Sequence, residues 1–178
     1  MSARQENVWR VRQHLLLPTE RLPQTTLVLV CGLPGTGKSH LAQELSRRLP
    51  LAVVSSDQVR HVLFPEPSFS GEEHGAVHTT CQRLVQELLR EGYSVVLDAT
   101  SLLNRHRERY YTLAEDQGAR LLILQTTASP ETVRQRMQGR RTGALPSHAS
   151  DAGWEVYQEY ADKMEPIRRP HRVVDTTR

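Results

Sequence analysis

Eight consecutive residues, Gly32-Leu33-Pro34-Gly35-Thr36-Gly37-Lys38-Ser39, match G-x-x-x-x-G-K-[ST] at every fixed position. Glycines let backbone N–H groups turn inward and approach an anion closely. A helix starting near Lys38 aims its partially positive N-terminus at the same place. In such a loop the lysine reaches the β- and γ-phosphates of a nucleoside triphosphate, and the serine hydroxyl ligates Mg²⁺. The cofactor-holding set is therefore Gly32 to Ser39, with His40 directly after them on the helix. The expected cofactors are ATP and Mg²⁺.

Two further sets of residues supply chemistry on the acceptor side. Asp57 follows a short apolar stretch and would face the crevice beyond the strand ends, where open parallel sheets hold ligands. A carboxylate there can orient an acceptor hydroxyl and take its proton. Arg60, three residues on, shares a helical face with it and could clamp an acceptor phosphate or the transferring phosphoryl group. Ser55 and Gln58 have capping-box spacing, which provides that helix with a cap other than Asp57. Asp98 ends the apolar run "VVLDAT" and is a candidate metal residue through a Mg²⁺-bound water; capping of the next helix by Asp98, Thr100 or Ser101 is the plainer alternative. Arg105 is near enough to a strand end to reach the crevice, whereas Arg107 and Arg109 fit a solvated helix face equally well. In "TVRQRMQGRRTGALPSHAS", Arg136 and Arg140 lie four apart on one helical face. Gly139, Gly143 and Pro146 then break the helix into a segment suited to a closing lid. Arg136 joins the cofactor set, and Arg140 joins Lys38, Asp57 and Arg60 as a catalytic candidate, with Arg141 an undecided neighbour. His74 and His78 have helical metal-binding spacing, but no third ligand is evident.

These residues require a particular scaffold. Leu27–Cys31 reads as a strand buried on both faces, and Leu51–Val54, 93–100, 119–126 and "HRVVDTT" read as further strands. Helices are expected after Gly37, over 72–91 with an apolar stripe from Val77 to Leu89, over 103–117, from Ser129-Pro130-Glu131 onward, and over 151–165. Alternating strands and helices imply a five-stranded parallel sheet with helices on both faces, an α/β fold. A helical extension over 1–26 precedes a domain over 27–178, with a short helix expected at 7–17.

The chain of 178 residues carries a formal net charge of +3, too weak by itself to indicate nucleic acid. Only Lys38 and Lys163 are lysines, the remaining basic residues being arginine. No apolar run approaches a membrane span and no secretory leader is legible, so a cytoplasmic protein with no obligate protein partner is expected. Cys31 and Cys81 read as core thiols. Trp9, Trp154 and Tyr157 read as packing residues. The guanine-binding strings N-K-x-D and D-x-x-G are missing from the sequence.

"GLPGTGKS", "SSDQVR", "VVLDAT" and "RQRMQGRR", in this order and spacing, resemble the P-loop kinases that include 5′-hydroxyl polynucleotide kinases and zeta-toxin-like enzymes. "SDAGWEVYQEYADKMEPI" is most similar to stand-alone bacterial predicted kinases described as AAA-domain ATP-binding proteins. The resemblance implies a P-loop NTPase fold, ATP and Mg²⁺ at Lys38 and Ser39, a general base at Asp57, an acceptor-side arginine at Arg60 and lid arginines at Arg136 and Arg140. It implies transfer of the γ-phosphate of ATP to an acceptor hydroxyl, with a polynucleotide 5′ end as first candidate. A sugar, nucleoside or antibiotic hydroxyl is the second, and a non-catalytic ATP-dependent binding module the third. The loop "FPEPSFSGEEHG" departs from that pattern, being acidic where a polyanion would enter.

Overall fold

The computed structural model of the chain describes residues 2–141 and 153–177; the side chains of Arg140 and Arg141 lie outside that description. Among the described residues twelve elements follow in the expected order. They are α1 (Ala3–Arg12), β1 (Thr26–Cys31), α2 (Lys38–Arg48), β2 (Leu51–Ser55), α3 (Ser56–Leu63), α4 (Gly71–Arg90), β3 (Ser94–Asp98), α5 (Asn104–Asp116), β4 (Arg120–Thr127), α6 (Pro130–Arg141), α7 (Trp154–Lys163) and β5 (Arg172–Asp175).

The five strands form one all-parallel sheet in the order β2-β3-β1-β4-β5. β1 lies at the centre and is buried at every position. Because side chains alternate along a strand, such a strand must be apolar on both faces. Leu27, Leu29 and Cys31 join Val95 and Leu97 in one core with residues of α1, α3, α4 and α5, while Val28, Val30 and Val96 pack with Ala42 of α2 in another. The sheet is thus covered on both faces. Cys31 and Cys81 are buried free thiols, and burial pushes the first up to about 11 and the second to about 12.

α1 starts and stops earlier than the 7–17 expected. Ser2 accepts from the Gln5 amide while the Gln5 side chain accepts from Ser2, a complete capping box that sets the start at Ala3. Val8 and Val11 enter the core, Arg10 donates to the Val62 carbonyl at 2.8 Å, and Arg12 forks onto Glu91. Trp9, in contrast, is 56% exposed and is no core residue. Trp154 stacks on Tyr157 with centroids 4.8 Å apart, and Arg134 lies 4.3 Å over the Trp154 ring.

Candidate functional site

The loop between β1 and α2 has the geometry of an anion cradle. Gly32 has φ +148°, and a Cβ there would stand 2.5 Å from Thr126 Oγ1 and 2.6 Å from its carbonyl oxygen. Gly35 has φ +80°, and a Cβ there would meet Val133 Cγ1 of α6 at 2.8 Å. Both conformation and space therefore demand glycine at these two positions. Thr36 Oγ1 donates to the Leu33 carbonyl at 2.7 Å and pairs with Thr126 Oγ1 at 2.7 Å, tying the loop to the end of β4. Lys38 Nζ folds back onto the Leu33 carbonyl at 3.0 Å. Gly37 occupies the N-cap of α2 and supplies no side-chain cap. The amides of Gly35, Gly37 and Ser39 meet no acceptor among the described residues. Uncapped donors at a helix N-terminus are what a phosphate chain requires.

Asp57 lies on α3, just past the end of β2. Ser55 is the N-cap residue, as its spacing suggested, but its side chain makes no capping bond, so the expected capping box is not formed. Asp57 senses Lys38, Arg60 and Asp98, which places it on the loop's side of the sheet. Burial raises its carboxyl above the usual range, and the neighbouring Asp98 carboxylate adds to the rise; Lys38 and Arg60 oppose it. Asp98 is 4% exposed at the end of β3, in register with Val30 and Ser55, and makes no side-chain hydrogen bond or ion pair among the described residues. Asp98 caps nothing: Leu103 is the N-cap residue of α5, with no side-chain bond, so Thr100 and Ser101 do not cap it either. The half-buried Asp57 and the buried Asp98 act on each other, and carboxylate oxygens are the ligand type a hard divalent cation takes. Among the described residues no group of three histidine, cysteine or acidic side chains is arranged to hold a metal.

A cavity of about 800 Å³ opens beside Asp57, bounded by Pro34 of the loop, α3, α4, the start of α5 and α7. Arg60 lines it and is 6% exposed. One of its nitrogens lies 3.3 Å from Glu73 Oε2, another donates to His74 Nδ1 at 2.8 Å, and Phe69 stacks 5.0 Å below. Arginine has no acceptor, so Nδ1 must accept and the His74 ring is neutral with its proton on Nε2. Burial and Arg60 both hold His74 below its ordinary value. Glu73 in turn accepts from the amides of Ser68 and Phe69, which, with the Ser68 hydroxyl, hold its carboxyl low. The acidic "FPEPSFSGEEHG" loop is therefore in part an internal brace for Arg60, rather than wholly an acidic entrance. Sequence spacing gave no sign of this brace, because its partners are joined only when α4 packs on α3.

The arginines of α5 and α6 differ from expectation. Arg105 is exposed and contacts His106 at 3.4 Å. Arg107, which fitted a solvated face equally well, is 0% exposed. It donates to the carbonyls of Ser101, Leu102, Glu165 and Pro166 and to Asn104 Oδ1. This buried cation pins the loop after β3 to the segment after α7, bounding one end of the cavity. Arg109 is exposed, as a solvated face requires, and also borders the cavity. Arg136 binds Gly35 O at 3.4 Å, Thr176 Oγ1 at 3.0 Å and the Thr176 carbonyl, while Thr176 Oγ1 reaches Thr36 O at 2.9 Å. Its donors brace the outer backbone of the phosphate loop. α6 runs through Gly139 to Arg141, so the expected break at Gly139 does not occur; the remainder of the expected lid, with Gly143 and Pro146, and the Arg140 side chain lie outside the described residues. His40 is exposed on α2.

Comparison with known proteins gives the chain its relatives. A family model described as an AAA domain matches residues 27–167. An uncharacterized protein of Mycobacterium tuberculosis, Rv2004c, is 30% identical over 175 residues, covering 90% of this chain but 34% of the relative. The chain thus spans about a third of the length of the curated relatives it matches. The structure of the M. tuberculosis APS kinase CysC with AMPPNP and APS superposes with a TM-score of 0.64 at 20% identity, covering 88% of this chain and 91% of that one. The Pnkp1/Rnl/Hen1 RNA repair complex matches with a TM-score of 0.67 at 18% identity, over 82% of this chain and 46% of that one. The fold is that of the P-loop kinases. No helix among the described residues is long and apolar enough to cross a membrane.

Proposed function

We propose that this chain, which belongs to the AAA-domain family of P-loop proteins, is an ATP-dependent phosphotransferase that moves the γ-phosphate of ATP onto the hydroxyl of a small acceptor. The observation that carries this reading is a cavity lined both by Pro34 of the phosphate loop and by Asp57, a half-buried carboxylate of raised basicity. The loop amides, Lys38 and the α2 N-terminus hold the triphosphate. Asp57 accepts the acceptor's hydroxyl proton as that oxygen bonds to the γ-phosphorus; the bond from γ-phosphorus to the β–γ bridging oxygen breaks, and ADP departs. A carboxylate shifted upward is a better proton acceptor than an exposed one. Ser39 and Asp98 would hold Mg²⁺, which would neutralise negative charge on the triphosphate. Arg60, locked by Glu73 and His74, positions the acceptor. Arg140 remains the candidate to stabilise the transferring group.

The cavity volume favours a small acceptor. Its roughly 800 Å³ falls within the range of ligand sites for single small molecules, about 300–1,000 Å³, and α7 closes its far side. The test is transfer from γ-labelled ATP to a panel of hydroxyl compounds and to a 5′-hydroxyl oligonucleotide, with Asp57→Asn as control. Label in a small product, lost in the variant, supports this proposal. Label in the oligonucleotide alone supports the polynucleotide alternative, and nucleotide binding with no ADP formed on any acceptor supports the binding-module alternative.

A further inference from the structure

One part of the cavity wall carries a charge arrangement that the proposed phosphoryl transfer does not use. His78 of α4 and His106 of α5 face each other with ring centroids 4.9 Å apart, tilted by 44°. Both line the cavity, together with Arg109 from the next turn of α5. The other cations of the wall are already engaged. Lys163 pairs with Glu159 at 2.5 Å, and Arg60 is held by Glu73 and His74. Arg109 makes no ion pair among the described residues. Asp57 and Glu159 are the only carboxylates among the described residues lining the cavity, the first facing the loop and the second matched by Lys163.

The positive charge in this corner is little compensated: of the groups acting on the two rings only Glu165 is acidic, and it bears on His106. Burial, then His106, His74, Arg109 and Arg60, hold the His78 imidazole down to about 4. His106 is likewise lowered, by burial and by Arg105, Arg109 and Arg107, with Glu165 alone opposing. At neutral pH both rings are neutral, and each keeps an N–H able to donate. A second sign comes from Ser101, in the same wall. It is 4% exposed, its Oγ has no hydrogen-bond partner among the described residues, and its backbone sits at φ +47°, outside the range side chains prefer. A buried hydroxyl without a partner costs free energy unless a ligand supplies one. Backbone strain of this kind gathers at ligand sites.

We infer that the acceptor is a small hydroxyl compound carrying its own anionic group, a phosphate, sulfate or carboxylate, and that this group seats against Arg109, His78 and His106 while the hydroxyl faces Asp57. The inference rests on the phosphotransferase reading for its hydroxyl and on the imidazole–guanidinium corner for its anion. Three donors line this corner with Glu165 alone opposing them, and that carboxylate already accepts from the Asn104 amide at 2.5 Å, so an anion supplies the charge the corner lacks. Binding draws a proton onto His78, because the anion replaces repulsion by attraction.

The experiment follows the His78 and His106 ring protons of the full-length chain by NMR across the acid-to-neutral range. Mg·AMPPNP is present at saturation to fill the phosphate loop, and resonances are assigned with His78→Gln and His106→Gln. Adding inorganic phosphate or sulfate is expected to raise the His78 midpoint by about one pH unit or more, equivalent to a tenfold tighter hold on the anion by the protonated form. Arg109→Ala is expected to remove that response while leaving thermal unfolding unchanged. Paired acceptors with and without the anionic group are expected to differ by about tenfold or more in kcat/KM, chiefly through KM. A His78 midpoint indifferent to both anions overturns the inference, as does equal transfer to the neutral members of each pair or better transfer to an oligonucleotide. A clear His78 response with no transfer to any acceptor overturns the kinase reading instead and retains the anion site.

Discussion

Replacing Asp57 by Asn should produce two effects of opposite sign. The change preserves shape and removes both the base and the half-buried carboxylate that neighbours buried Asp98. Loss of a positioned general base lowers the transfer rate by roughly 10²–10⁴-fold, about 2.7–5.4 kcal/mol on the barrier. Stability should move the other way. Asp57 keeps its proton to higher pH in the folded chain than its ordinary 3.8, because burial and Asp98 disfavour the charge. Between those two values the folded state binds more protons than the unfolded state, so wild-type stability falls as pH rises through the window and stays lower above it. The neutral amide of the variant carries no such penalty. Thermal unfolding of variant and wild type should coincide in acid, below both values, and separate at neutral pH with the variant higher. Each kcal/mol relieved is worth about 2–4 °C in a domain of this size. The assay is a pair of unfolding series across pH alongside labelled transfer. A variant that melts lower than wild type at neutral pH, or transfers phosphate at the wild-type rate, refutes the placement of Asp57 as a strained, reactive carboxylate.

Three further outcomes are expected. Gly32→Ala pushes a Cβ to within 2.5 Å of Thr126 Oγ1 and 2.6 Å of its carbonyl, forcing β1 and β4 apart at their ends and opening the Thr36–Thr126 bond; destabilisation of about 2–4 kcal/mol by urea unfolding, with loss of nucleotide binding, is expected. Arg107→Met deprives four carbonyl oxygens of their buried donor and should cost about 3–5 kcal/mol in the same assay. Glu73→Gln loosens Arg60 without touching the phosphate loop, so acceptor KM should rise in steady-state kinetics while the affinity for AMPPNP is unchanged.

The parts of the molecule legible in its sequence are those governed by local rules. The phosphate loop is a fixed string whose glycines each answer a nearby constraint, and β1 announces its two-sided burial as a continuous apolar run. Strand and helix order follows from alternating patterns, and boundaries moved by only a residue or two at β1, β2 and α4. The start of α1 is also written locally, in Ser2 and Gln5, though the hydrophobic run farther on carries the stronger pattern. The rest depends on tertiary placement. Nothing in the spacing of "NRHRER" separates Arg107, which turns inward to bind carbonyls from two loops, from exposed Arg105. Glu73 sits among acids at the start of a legible helix, but nothing local marks it as Arg60's partner until α4 packs on α3. His106 meets His78 only because α5 follows β3 into the same crevice, and no periodicity within either helix encodes the meeting. Arg136 was legible as an arginine near phosphate, but its partner Thr176 comes from the far end of the chain.

The central claim is that residues 32–39 hold a nucleotide's phosphates within reach of Asp57. Calorimetric titration of Mg·AMPPNP into the folded wild-type chain and into Lys38→Ala tests it most directly. One site per chain is expected, weakened in the variant by at least about tenfold, or 1.4 kcal/mol, at unchanged thermal stability. Folded wild-type protein that takes up no nucleotide, or a variant that binds as tightly as wild type, contradicts it.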